Sequence, residues 1–328
     1  MKAIVTKLIV LSIFLVQNGF ALSYDKLIIY CSFDKSTISG NTVVNLADNG
    51  NKLYFHGTSL LATDCLGIPD RAITLDGATY LSCTIPSATI SQIAQGDFSL
   101  GIMLKTTYQT GGMTARYDIA GMGDPYNNGF FLSLHDSRGR IFLGNHGYYD
   151  TPDTLSSGKW HFLLATRSNG AVKLYLDGKV SDEGAYVDAI QPSTDTFTVG
   201  KHGIKNESYF KGDLDQLVFY SRALTSDEAQ LLYTEFTTIP ITVLSPSDSI
   251  ISSPIIFKWS SIKSAVAYAV EIDTGASFSN PIVSLPVEDT VMQLSASLSA
   301  GKYYFRIGSN SDDRSPFYFI NSRYFILK

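Results

Sequence analysis

Charge is scarce in this chain: Asp, Glu, Lys and Arg make up only 17% of its 328 residues. The 25 lysines and arginines form no cluster, and 30 acidic residues leave the formal charge at −5. A mildly acidic chain without a basic stripe excludes nucleic acid and anionic membrane surfaces as partners. Histidine is rare too. His56, His135, His146, His161 and His202 make no H-x-x-x-H or H-x-H pair, and there is no G-x-S-x-G elbow. Zinc hydrolysis and hydrolase triads therefore have no support in the sequence. Cys31, Cys65 and Cys83 include no C-x-x-C, which excludes a zinc ribbon. Cys65 and Cys83 flank a hairpin-sized segment, and export would permit a disulfide between them. Cys31 lies in an apolar strand-like run and is expected to pack as a small hydrophobe. Beyond residue 21 no apolar run reaches 18 residues, so no transmembrane segment is predicted.

What is present at the start is a leader. Lys2 and Lys7 precede the apolar run Leu8 to Val16, and Gly19-Phe20-Ala21 supplies small residues at the cleavage-reading positions. Residues 1–21 read as a secretory signal peptide, which predicts a secreted or cell-surface protein. Its removal takes away two lysines and brings the formal charge to −7. The remaining length exceeds what one core usually serves, which predicts two domains.

Residues 158–228 carry the strongest pattern. Asn169-Gly170 and Asp177-Gly178 are type I′ hairpin dipeptides eight residues apart. Between them Val172, Leu174 and Leu176 alternate with Lys173, Tyr175 and Asp177, predicting a meander with one buried and one wet face. Trp160, Phe162 and Leu164 give the preceding strand the same period, and Trp160 is expected to fill core. Leu214 to Tyr220 reads as a central strand, and Thr225-x-x-Glu228 as a capping box opening a short helix. The succession G-K-W-H, V-K-L-Y-L-D-G, V-G, F-K-G-D-L-D and S-R-A-L-T-S-D-E resembles the laminin-G-like, concanavalin A-like jelly-roll domains. The segment CLGIPDRAITLDGATYLSCTIPS resembles the entry strand pair of the same family. The resemblance implies an all-β jelly-roll sandwich whose first strand, within Leu27 to Phe33, pairs near the last at 214–220.

Further along, Trp259, Tyr268 and L-x-x-G-K-Y-Y-F-R resemble fibronectin type III modules of bacterial surface proteins, implying a second, smaller β-sandwich. The expected organisation is signal peptide 1–21, laminin-G-like domain 22–236, linker 237–242 and fibronectin type III-like domain 243–328.

The concanavalin-like fold also hosts β-glucanases, whose E-x-D-x-x-E strand aligns catalytic carboxylates in one cleft. Glu271-Ile272-Asp273 begins such a motif, but position 276 is alanine and the strand lies in the smaller domain. No catalytic residue is assigned. If the terminal strands are neighbours, as the resemblance implies, Asp34, Asp213 and Asp215 meet near the turn-rich loop 45–51 and are candidates to hold one structural calcium ion. The alternative has Asp215 pairing with Arg222 or capping a turn and leaves Asp213 solvated. Two segments, 123–129 and 144–152, read as exposed loops. Tyr126, Asn127 and Asn128 on one, with Tyr148, Tyr149 and Asp150 on the other, are the candidate ligand-binding residues, because sugars stack on aromatic faces and are oriented by Asn and Asp. The favoured reading is an exported, non-catalytic protein recognising a glycan or glycoprotein surface. The alternatives are a structural or adhesive envelope protein and, last, a glycoside hydrolase.

Overall fold

The structure, a computed structural model, describes residues 23–328 except 48–50, 59, 109–115, 125, 146, 239–242, 247–249, 262–266, 279, 296, 311–317 and 320–322. The expected signal peptide, 1–21, and most of the expected linker thus lie outside the described residues. Two compact units result, Ser23–Thr237 and one comprising Thr238–Lys328.

The first unit is built from β1 (Leu27–Cys31), β2 (Ile38–Ser39), β3 (Thr42–Val44), β4 (Lys52–His56), β5 (Leu60–Ala62), β6 (Ala72–Asp76), β7 (Tyr80–Thr84), α1 (Ser87–Gln95), β8 (Phe98–Lys105), β9 (Arg116–Asp124), β10 (Asn127–His135), β11 (Arg138–Gly144), β12 (Gly147–Thr154), β13 (Trp160–Ser168), β14 (Ala171–Leu176), β15 (Lys179–Ala185), β16 (Thr196–Val199), β17 (Lys211–Tyr220) and α2 (Ser226–Thr237). The two hairpin dipeptides behave as their chemistry requires. Asn169 and Gly170 have φ of 49° and 81°, Asp177 and Gly178 of 52° and 79°, and the flanking pairs Ser168↔Ala171 and Leu176↔Lys179 close two-residue turns. A third turn of this kind joins β10 to β11 through Asp136 and Ser137, both at positive φ without a glycine.

The strands form an eight-stranded sheet, ordered β15-β14-β13-β8-β17-β6-β5 with β1 also paired to β17, and a nine-stranded sheet, β12-β11-β10-β9-β16-β7-β4-β3-β2. β1 meets β17 antiparallel, from Leu27↔Tyr220 to Cys31↔Leu217, so the first strand does lie beside the last. The core is the space between the sheets. Phe98 of β8 contacts Phe130 of β10 (ring centroids 4.9 Å), and Phe219 of β17 contacts Phe130 (5.6 Å) and Phe197 of β16 (5.3 Å). All four rings are buried. Truncating one ring in such a core costs about 3–5 kcal/mol. This is the all-β jelly-roll sandwich expected.

Two expectations about β13 and β14 do not hold. The face carrying Tyr175 is not wet, because α2 lies on it: Tyr175 and Phe162 are buried, Tyr175 Oη is 3.2 Å from Ser226 Oγ, and Phe162 meets Phe236 edge-on at 5.4 Å. Periodicity reports that a side chain alternates but not what covers it. Trp160, at the strand's start, is half-buried and carries Lys105 Nζ 5.5 Å from its ring instead of filling core.

The helix start is as predicted. Thr225 N–H donates to Glu228 Oε2 (2.9 Å) and Glu228 N–H to Thr225 Oγ1 (3.2 Å), the reciprocal capping box. Arg222 completes it with a two-point ion pair to Glu228, and also donates to the carbonyls of Ser23 (2.6 Å) and Asp25 (3.1 Å). Tyr24 Oη donates to Glu235 of α2 (2.7 Å). Arg222 is therefore not the partner of Asp215.

The second unit holds a three-stranded and a six-stranded sheet, with a core that includes Phe257, Trp259, Tyr268, Val270, Phe305 and Phe325. Glu271 is ion-paired to Arg306 (2.6 Å) and Asp273 accepts from Thr274 N–H (2.6 Å), so both acids of the partial glucanase motif hold up their own strands.

All three cysteines are free thiols. Cys83 is buried on β7 in the nine-stranded sheet, as Cys31 is on β1, whereas Cys65 lies in the β5–β6 connection with its Sγ 3.2 Å from the Phe236 carbonyl. The expected Cys65–Cys83 bridge is absent because the two belong to different layers. Burial pushes both thiols up to about 12, which suppresses their thiolate chemistry.

Candidate functional site

The two segments expected to be loops are not loops. β9 and β10 pair closely at this end, Asp124 opposite Asn127 and Asn128, and Asn128, at φ 66°, takes a role usually given to glycine. Residues 147–154 form β12, the edge strand of the nine-stranded sheet, where Pro152 is tolerated. Pairing with β11 in the register Phe142↔Tyr148 and Arg140↔Asp150 then decides which side chains share a face. Tyr148 and Asp150 point to the outer face. Tyr149, between them, packs against the core, and its Oη donates to the Ala185 carbonyl (2.9 Å). Tyr149 is scaffold, a consequence of the two-residue period.

On that outer face aromatic rings and guanidinium groups alternate. Arg116 lies 4.7 Å from the Tyr126 ring and 5.3 Å from Phe142, and Arg140 lies 5.1 Å from Phe142 and 4.0 Å from Tyr148. The order Tyr126, Arg116, Phe142, Arg140, Tyr148 is a ladder crossing the end of the sheet. Its middle is buried, and its end rings are open, Tyr126 being 41% and Tyr148 53% exposed. Asn127 and Asn128 are exposed beside Tyr126. Each arginine is held by an aspartate of its own. Arg140 takes Asp150 in a two-point pair, while Arg116 lies 2.9 Å from Asp118, which also accepts from Ser133 Oγ (2.6 Å).

Asp118 is fully buried, and burial pushes its carboxyl up to about 6 against the opposing pull of Arg116 and Ser133. The segment 200–209 covers it, with Asp118 N–H donating to the Ser208 carbonyl (2.8 Å). Within that segment His202 is buried against Phe131, and its Nδ1 accepts from the backbone N–H groups of Ile204 and Lys205 (both 3.1 Å). Burial lowers the pKa of His202, so it stays neutral.

The three acids assigned to calcium do not form one cage. Asp213 is 2.8 Å from Lys105 and accepts from Thr74 Oγ1 (2.6 Å). Asp34 faces Arg71 at 3.5 Å. Asp215 is buried, accepts from Gln216 N–H (2.8 Å), and is held protonated well above the usual carboxylate range, first by burial and then by Asp34 and Asp64. Among the described residues no group of three or more His, Cys, Asp or Glu is placed to hold a metal ion. Asn45 of the adjoining loop is spent on the backbone, accepting from Tyr30 N–H (2.8 Å) and donating to the Ile28 carbonyl (2.9 Å). Excess calcium and excess chelator should therefore leave the calorimetric melting midpoint where it is. A calcium-dependent rise that chelator reverses would reinstate an ion.

Comparison with known proteins agrees with this architecture. Residues 76–230 match the family described as the Concanavalin A-like lectin/glucanases superfamily. The segment 76–230 is a concanavalin A-like lectin/glucanase domain. No curated protein matches the sequence. Among solved structures, the chain is similar to the binding domain of botulinum neurotoxin DC in complex with rat synaptotagmin II (TM-score 0.53, 12% identity, covering 89% of this chain and 73% of that one). It is similar to the same neurotoxin's binding domain in complex with SialylT (0.52, 12%, 90% and 78%). The binding domain of Paraclostridial Mosquitocidal Protein 1 is a further neighbour (0.52, 14%, 90% and 67%). At these identities the likeness is one of fold. Among the described residues no helix is long and apolar enough to cross a membrane.

Proposed function

We propose that this is an exported, non-catalytic carbohydrate-binding protein that meets a glycan or glycosylated surface at the ladder face of its concanavalin A-like domain. The observation that carries this is the pair of exposed rings, Tyr126 and Tyr148, fixed at the two ends of a buried arginine–aromatic stack. A sugar ring presents an apolar C–H face, and a tyrosine already locked in place loses little entropy in receiving it. Asn127, Asn128 and the outer lone pairs of Asp150 are the hydrogen-bonding groups beside those rings. A neighbour of the same fold is in complex with SialylT, which supports the reading. With residues 1–21 read as a signal peptide the protein acts outside the cell, and the second unit, read as fibronectin type III-like, serves as a spacer or anchor.

A glycan array probed with the intact protein is the direct test. Tyr126→Ala or Tyr148→Ala should each weaken array hits about tenfold, the worth of one aromatic contact. Tyr149→Phe, on the opposite face, should change nothing. Unaltered binding by the Tyr126/Tyr148 double variant would refute the site. Capture of proteins without glycans, unchanged in the Tyr126/Tyr148 double variant, would favour the adhesive alternative.

A further inference from the structure

A second feature of the same domain lies on the other side of β9. Strand alternation turns Tyr117 away from its neighbour Arg116, and so away from the ladder. Tyr117 there helps line a groove of about 900 Å³, together with Thr74, Lys105, Tyr108, Lys211 and Asp213. That volume is in the range of small-molecule sites. Three elements converge on it: the end of β8 with the residues that follow, the start of β17, and β6.

The chemistry of the lining is specific. Tyr108 is 43% exposed and is propped edge-on by Tyr117 at 5.0 Å, and Lys211 Nζ lies 5.6 Å from its ring. Beside this platform stands the Lys105–Asp213 pair at 2.8 Å, with Asp213 steadied by Thr74 Oγ1 at 2.6 Å. A carboxylate has about four lone-pair positions and an ammonium three N–H donors. The contacts described use two positions of Asp213 and one donor of Lys105. A fixed acceptor next to a fixed donor is the complement of two adjacent hydroxyl groups. One O–H donates to Asp213, and the neighbouring oxygen accepts from Lys105. The ring face of Tyr108 suits the apolar side of the same molecule.

We infer that this groove is a second saccharide subsite, selecting a sugar unit with vicinal hydroxyls through Lys105 and Asp213 and stacking it on Tyr108. The inference rests on the carbohydrate-binding reading, and it gives Asp213 a role in hydroxyl recognition in place of metal ligation. Two sites on opposite sides of β9 would let one domain engage two branches of a glycan, raising avidity without new contacts.

Isothermal titration of the intact protein with sialyllactose, arabinotriose and chitotriose tests it. With a probe that binds, two sites per chain are expected. A Tyr108→Ala/Asp213→Asn variant should lose one site, and the Tyr126→Ala/Tyr148→Ala variant the other. Because Asp213 also pairs across strands, Tyr108→Ala alone, at an exposed ring, is the control for folding and should weaken the groove site about tenfold. A single site abolished by the ladder variant and untouched by both groove variants would overturn this inference and leave the ladder reading standing. A single site with the opposite pattern would keep the groove and overturn the ladder. No binding of any probe to the wild-type protein would overturn both.

Discussion

Arg167→Ala should destabilise the first domain by about 3–5 kcal/mol, because it leaves three buried carbonyls without their donor and opens a cavity. Arg167 sits on β13 at 3% exposure, and its three hydrogen bonds all go to carbonyls. Nε donates to Tyr186 (3.1 Å), Nη1 to Gly96 (3.2 Å) and Nη2 to Asp188 (2.8 Å). One planar fork thereby fastens the end of α1 and the segment after β15 to the eight-stranded sheet. Alanine would leave these acceptors without their donor and a cavity in place of the side chain. Lysine, a single ammonium, cannot span the three carbonyls and should recover only part of the loss. The effect reaches the ladder. Tyr186 Oη accepts from Asn145 N–H (2.9 Å), just ahead of the strand that carries Tyr148. Chemical denaturation of Arg167→Ala gives the answer, and a loss below about 1 kcal/mol would mean that the carbonyls find other donors.

The second large effect concerns Asp118. Asp118→Ala should also cost about 3–5 kcal/mol at neutral pH, because Arg116, itself buried, would keep its charge without its anion. Ligand binding should fall with it, since Arg116 is the prop beneath Tyr126. The pH dependence has a definite sign. Burial pushes the native carboxyl up to about 6, above the ordinary aspartate value of 3.8, so the folded state holds the extra proton between those values. The contribution of Asp118 to stability is therefore present below the unfolded value and is lost as pH rises through about 6. Asp118→Asn removes the titration. Melting curves of wild type and Asp118→Asn should diverge as pH rises from 4 to 7, with the wild type losing ground. Parallel curves would show that Asp118 is not titrating there.

Much of the scaffold was readable because its signals are local. Asn169-Gly170 and Asp177-Gly178 specify turns by their own backbone preferences, and Thr225 with Glu228 specifies a helix start three residues wide. The site was legible only in part. Of the residues on the proposed ladder, Tyr126, Tyr148 and Asp150 stand out by their residue types, but Arg116, Phe142 and Arg140 do not. Their partnership depends on the register of β9, β10, β11 and β12, which no single strand encodes. The alternation Arg140, Phe142 along β11 was the available hint. Tyr149 was misassigned because a Gly- and Pro-containing stretch read as a loop, in which neighbouring side chains need not take opposite faces. Lys105 and Asp213 were equally out of reach, since 108 residues of chain separate two groups 2.8 Å apart.

The bonds from Arg222 to the carbonyls of Ser23 and Asp25, with Tyr24 on Glu235, join the two ends of the first domain. A domain whose entry and exit adjoin is a cassette: it can be spliced into a surface turn of another protein without forcing the host strands apart.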